Sequence, residues 1–112
     1  MAKFRGNKVR DWAELPEAFA ESNLIVQTTT LGMAGTESPN WPVDACSADT
    51  IVVDVVYRPL ETPLLAAARA RGLKTVDGLG MLIHQGALSF KIWFGIMPDV
   101  AKARARLEAA LR

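Results

Sequence analysis

Thr50-Ile51-Val52-Val53-Asp54-Val55-Val56-Tyr57 decides the fold. Its β-branched, nearly continuous apolar character is that of a strand buried on both faces, as in a parallel sheet. Upstream, Leu24-Ile25-Val26-Gln27-Thr28 is a second short strand. A loop of turn formers separates the two: Gly32, Gly35, Ser38, Pro39, Asn40 and Pro42. Downstream, Thr62 can cap a helix that Pro63 opens; Leu64 to Arg71 continues it and Gly72 supplies a left-handed stop. Leu73 to Val76 is a third strand, followed by a helix from about Met81 to Trp93 and an amphipathic helix over Asp99 to Leu111. In the latter, Val100, Ala103, Leu107 and Leu111 point inward. Near the start, Lys8 to Arg10 is a weak strand candidate, and Trp12 to Ser22 reads as a helix with Asp11 able to cap it.

Strands separated by helices imply α/β, with a short parallel sheet flanked by helices and additional C-terminal helices. Right-handed crossovers would put helices on both sheet faces. Ligands in such sheets sit at the carboxyl ends of the strands, so the loops after Thr28, Tyr57 and Val76 are where function is expected. With 112 residues, no linker and no repeat, residues 1–112 read as a single unit with a real core. The 13 basic and 12 acidic residues give a net charge of +1, which argues against nucleic-acid binding. No run suggests a membrane span or a signal peptide. Cys46 is the only cysteine, so no disulfide framework exists and a cytoplasmic location is the expectation. An apolar share of 50% is high for so short a chain and suggests a surface that faces a partner.

Several residues could carry chemistry. Gln85 falls on one helical stripe with Met81, Leu88 and Ile92; its amide is either satisfied by a neighbouring group or holds a polar ligand. Tyr57 ends the main strand, where a phenol either caps the core or donates to a ligand. Asp54 is a carboxylate in an apolar strand, fit for acid–base work or for hydrogen bonding a loop backbone. His84 lies on a solvated helix side. With one His, and Cys46 in a Pro-flanked loop, neither a metal site nor a Cys–His pair is expected. Lys3, Arg5, Lys8 and Arg10 form a small basic cluster, either a phosphate contact or a solvated strand edge.

Three motifs carry a family resemblance. Leu24-Ile25-Val26-Gln27-Thr28-Thr29-Thr30-Leu31-Gly32-Met33 is similar to a strand and turn of shikimate dehydrogenases, with Gln27 where Asn is usual. Asp54-Val55-Val56-Tyr57-Arg58-Pro59-Leu60-Glu61-Thr62-Pro63-Leu64-Leu65 resembles that family's Asp-x-x-Tyr-x-Pro-x-x-Thr-Pro-Leu-Leu. Asp77-Gly78-Leu79-Gly80-Met81-Leu82-Ile83-His84-Gln85-Gly86-Ala87 continues it, with Phe90, Trp93 and Gly95 in family positions and Phe94 a departure. From Leu24 to about Val100 the chain thus resembles the C-terminal region of the family, and Ala2 to Trp12 resembles the helix tail and strand just before it.

The resemblance implies an incomplete Rossmann-like half whose cofactor is NADP. It implies that Tyr57 and Gln85 contact shikimate, Tyr57 near its carboxylate and Gln85 at its hydroxyls. It further implies that Thr29, Val55, Gly78 and Met81 line the NADP site. The family's catalytic Lys and Asp, its Gly-rich phosphate loop and its 2′-phosphate-binding Asn-Arg-Thr stretch have no counterpart in these 112 residues. The expectation is therefore a truncated shikimate dehydrogenase-like protein, inactive alone, with no catalytic residue of its own. The rival is a non-enzymatic module that self-associates as a homo-oligomer or binds a partner; a third idea is that a complementary chain restores the enzyme.

Overall fold

A computed structural model describes residues 6–111. Three parallel strands lie side by side in chain order: β1 (Leu24–Gln27), β2 (Ile51–Asp54) and β3 (Lys74–Val76). Leu24, Ile51 and Lys74 align across the sheet, as do Val26, Val53 and Val76. α1 (Leu15–Glu21), α2 (Pro63–Ala70), α3 (Gly78–Phe94) and α4 (Val100–Leu111) complete the fold. The architecture is α/β with a short parallel sheet, as the alternation of strands and helices implied, and Rossmann-like, as the resemblance implied.

The β1–β2 connection is a long loop that holds a 3₁₀ turn at Val43–Ala45, the β2–β3 connection runs through α2, and α1, before β1, shares one core with α2 on one sheet face. Phe19 of α1 joins Leu64, Leu65 and Ala68 of α2, together with Val52, Leu73, Val43 and Cys46, in one core. Trp41 stacks on Phe19, with ring centroids 6.3 Å apart and planes 8° from parallel. Each of the large side chains here removes enough apolar surface from water to contribute about 1.5–3 kcal/mol.

The expectation of helices on both faces fails. Leu24 is 57% exposed, Val26 48% and Val76 47%, so the opposite face of the sheet stays open. β2 alternates between half-buried and buried residues instead of being buried throughout. A nearly continuous apolar run fixes a strand but does not say what covers it.

The other departures are local. Lys8 to Arg10 forms no strand, for Val9 is 86% exposed and pairs with nothing. Lys3 and Arg5 of the basic cluster, and Ala2 to Arg5 of the matched helix tail, lie outside the described residues. The Trp12–Ser22 helix begins as a 3₁₀ turn at Trp12–Glu14 before α1; Asp11 caps it, and the Glu14 carboxylate accepts from the Asp11 N–H in turn. α2 matches its sequence signals closely. Thr62 accepts from the Leu65 N–H, and Gly72 follows at φ +85°, where a side chain would be strained.

α3 starts at Gly78, three residues before the expected Met81. Two glycines in a first turn each cost about 1 kcal/mol in helix propensity. Asp77 offsets part of that cost: its carboxylate accepts from the Gly80 N–H at 3.0 Å and pairs with Arg104 of α4 at 2.6 Å. The buried stripe of α3 is Leu79, Ile83 and Ala87. The stripe through Met81, Gln85, Leu88 and Ile92 is exposed instead, so the Gln85 amide meets solvent and its desolvation argument does not apply. In α4, Leu107 is 38% exposed rather than inward, and the apolar side of the helix only lines a groove against α3.

Candidate functional site at the strand ends

At the carboxyl ends of β1 and β2 lies an open cavity of about 380 Å³. The loop after β1 contributes Thr28, Thr29, Thr30, Met33 and Ala34 to its wall. The chain leaving β2 contributes Val55, Val56, Tyr57 and Arg58. A volume of several hundred Å³ with an apolar lining and a few hydroxyls suits a small ring compound or part of a cofactor.

Polar side chains end both strands. The Gln27 side-chain amide oxygen, Oε1, accepts from the Thr29 N–H and from its hydroxyl, each at 2.5 Å, which turns the chain away from the sheet. Asp54, only 1% exposed, accepts from the Val56 N–H at 2.9 Å and the Thr62 hydroxyl at 2.7 Å. This explains why β2 stops at Asp54 and not at Tyr57. It also makes Asp54 a hydrogen-bond acceptor for loop backbone, the second of its two sequence readings.

Of the six residues singled out by resemblance, three share the cavity: Thr29, Val55 and Tyr57. Tyr57 is 39% exposed and makes no core cap. The Thr29 hydroxyl is committed to Gln27 and also accepts from the Leu31 N–H at 3.2 Å, leaving its methyl group and backbone for a ligand. Gly78 stands directly behind this wall. A Cβ there would lie 2.2 Å from the Val55 carbonyl oxygen and 2.8 Å from that of Val56, so only glycine lets α3 start so close to the cavity. Met81 and Gln85 do not line the cavity; they follow on the exposed side of α3, one turn apart.

Charge is arranged mainly behind the site. Burial pushes the Asp77 carboxyl up, but its hydrogen bonds with Arg104 and with the Gly80 and Leu79 backbone outweigh this and hold it below its usual value. Arg104 in turn bonds Glu108 at 2.7 Å, so α4 braces the start of α3. Arg58 contributes the one cationic side chain of the cavity wall. His84 is exposed, and burial pushes the Cys46 thiol up with Arg71 pulling the other way, so this thiol is a poor nucleophile. Among the described residues no cluster of His, Cys, Asp and Glu could hold a metal ion, and no helix is long and apolar enough to cross a membrane.

Sequence reasoning missed Arg58 and Met33 as wall residues, and Gln27 as more than a departure from Asn. It also missed the Asp77–Arg104 pair, although Asp77 directly before Gly78 is a recognisable cap signal.

Comparison with known proteins adds independent observations. The profile of the Shikimate 5'-dehydrogenase C-terminal domain matches residues 78–108. A shikimate dehydrogenase (NADP(+)) of Rhodopseudomonas palustris is 52% identical over 101 residues, which are 89% of this chain and 36% of the relative. Quinate dehydrogenase from Corynebacterium glutamicum, solved in complex with NAD, superposes with a TM-score of 0.78 at 36% identity, over 87% of this chain and 34% of its own. Shikimate 5-dehydrogenase from Thermus thermophilus, in complex with NADP(H) and shikimate, gives 0.71 at 38% identity, over 81% and 36%. The chain therefore spans about a third of the length of the curated relatives it matches.

Proposed function

This chain is a relative of the C-terminal region of the NADP-dependent shikimate dehydrogenases, and from that premise we propose that it forms the nicotinamide and shikimate wall of such an enzyme's cleft. The observation that carries the reading is the cavity at the ends of β1 and β2, which gathers Thr29, Val55 and Tyr57 with Gly78 directly behind them. In this reading Thr29, Val55, Gly78 and Met81 bind NADP. Val55 and Met81 offer apolar surface to a flat ring, and Thr29 and Gly78 offer backbone. Tyr57 donates a hydrogen bond to the shikimate carboxylate, and Gln85 both donates to and accepts from ring hydroxyls. Exposure of Met81 and Gln85 fits residues that meet a ligand from outside the small cavity. When bound, NADPH supplies the hydride for the family reaction, the reduction of 3-dehydroshikimate to shikimate.

These 112 residues hold no counterpart of the family's catalytic Lys and Asp or of its Gly-rich loop. Positioning and proton transfer together account for many orders of magnitude in rate. By itself this stretch then binds ligands weakly and turns over nothing measurable. Purified chain given shikimate and NADP⁺ tests this, with NADPH followed by its absorbance. No NADPH is the expected result, and turnover would overturn the inactive reading.

One observation favours a second reading, a non-enzymatic module that pairs with a copy of itself or a complementary chain. The open sheet face carries Leu24, Val26 and Val76 in solvent, and the outer edge of β1 has no neighbouring strand among the described residues. Such surfaces drive pairing. A solution mass of one chain for a well-folded sample would sink self-association.

A further inference from the structure

Gln27 and Asp54 stand opposite each other in the β1–β2 register. Each ends its strand in the same way, by capturing the N–H two residues on: Gln27 that of Thr29, Asp54 that of Val56. The two side chains are also joined, the Gln27 amide donating to Asp54 at 3.3 Å, and Thr62 closes the chain from the other side of Asp54. All three are at most 5% exposed. Every polar atom of Gln27 is used, since its amide also donates to the Leu31 carbonyl at 2.9 Å. An apolar trio would fill this site at less desolvation cost, so the polar chain is better explained by what it orients than by stability alone.

We propose that Gln27, Asp54 and Thr62 form one positioning unit that fixes the two cavity loops relative to each other, so that a disturbance at Thr62 is felt at Thr29. Resting on the cleft reading above, the proposal makes these three positioning residues for ligand binding, none of them touching ligand. The side-chain length matters. Gln27 spans Thr29, Leu31 and Asp54 at once, whereas Asn, one methylene shorter, retains the Thr29 cap but not the reach to Asp54.

Amide hydrogen exchange on the full chain, measured by NMR, tests the coupling without any ligand. Thr62→Val removes the hydroxyl from both Asp54 and the Leu65 N–H cap of α2, and Thr62→Ser restores both. The expected result for Thr62→Val is exchange about tenfold faster at both the Thr29 and Val56 amides, beyond any change at Val52, with Thr62→Ser near wild type. Acceleration at Val56 with Thr29 unchanged would overturn the proposal, as would an equal change at all three amides. If Thr62→Val does not fold, Gln27→Asn carries the test: faster exchange at Val56 supports the unit, and an unchanged Val56 overturns it. Titration with NADP⁺ separates this from the cleft reading. A weaker affinity in Thr62→Val, rescued in Thr62→Ser, extends the unit to binding, and equal affinity in all three proteins overturns its role there. A wild-type chain that binds no NADP⁺ refutes the cleft reading and the binding role, while the exchange data still decide the coupling.

Discussion

The two faces of the sheet are built from the same kinds of residue and have different fates. On one, Ile25 and Val52 lie under α1 and α2, and the face ends in the polar pair Gln27 and Asp54 at the cavity. On the other, Leu24, Val26 and Val76 are about half exposed, and Ile51 and Val53 between them are partly covered. Alternation along a strand assigns residues to faces, but it takes a helix to turn a face into a core. The covered face holds the fold and aims the cavity loops. The open face contributes little to the stability of the single chain and is available for contact with another.

The largest effect expected from this contrast is at the covered face. Leu64→Ala deletes a side chain that is 1% exposed and should cost about 3 kcal/mol in urea unfolding; a loss below 1 kcal/mol would mean that the core is less tightly packed than described. Gly78→Ala comes next. Its new Cβ meets the Val55 carbonyl, so about 2 kcal/mol should be lost and the Val55 and Val56 amide resonances should move.

A smaller effect concerns the brace behind the site. Asp77 has a carboxyl pKa held below its ordinary value, so its contribution is present above the unfolded value of 3.8 and fades as pH falls through the lower folded value. Arg104 is partly exposed, and after solvent screening the pair should stabilise by less than about 1 kcal/mol. Urea unfolding of Arg104→Ala between neutral pH and pH 3 should show a shallower loss than wild type; an unchanged slope would remove the pair from the account. The smallest stability change belongs to the open face, where Val26→Lys should alter the single chain by no more than about 0.5 kcal/mol. If copies associate through this face, the same substitution lowers the solution mass, and association that survives it must use another surface.

The sequence made the ends of α2 legible because Thr62, Pro63 and Gly72 act through local backbone chemistry. The three strands were legible for a related reason: short β-branched runs have few alternatives. Long-range matters were not. The Asp77 cap before Gly78 is a local signal, but the arginine that braces it comes 27 residues after Asp77, and no local window contains both. The Met81–Gln85–Leu88–Ile92 stripe has as good a helical spacing as Leu79–Ile83–Ala87, and the structure buries the latter, with Ile83 and Ala87 facing the groove to α4. At the cavity, Tyr57 was readable from its place at the end of the expected strand, and Thr29 and Val55 only through the family motifs. Arg58 and the role of Gln27 needed the loops in place.

Titration of the ¹⁵N-labelled chain with NADP⁺, alone and with shikimate, tests the cleft most directly. Shifts concentrated at Thr29, Val55, Gly78 and Met81 are expected with NADP⁺, extending to Tyr57 and Gln85 when shikimate is added. Shifts confined to the open face around Val26 and Val76, or none at either ligand, would contradict the cleft reading.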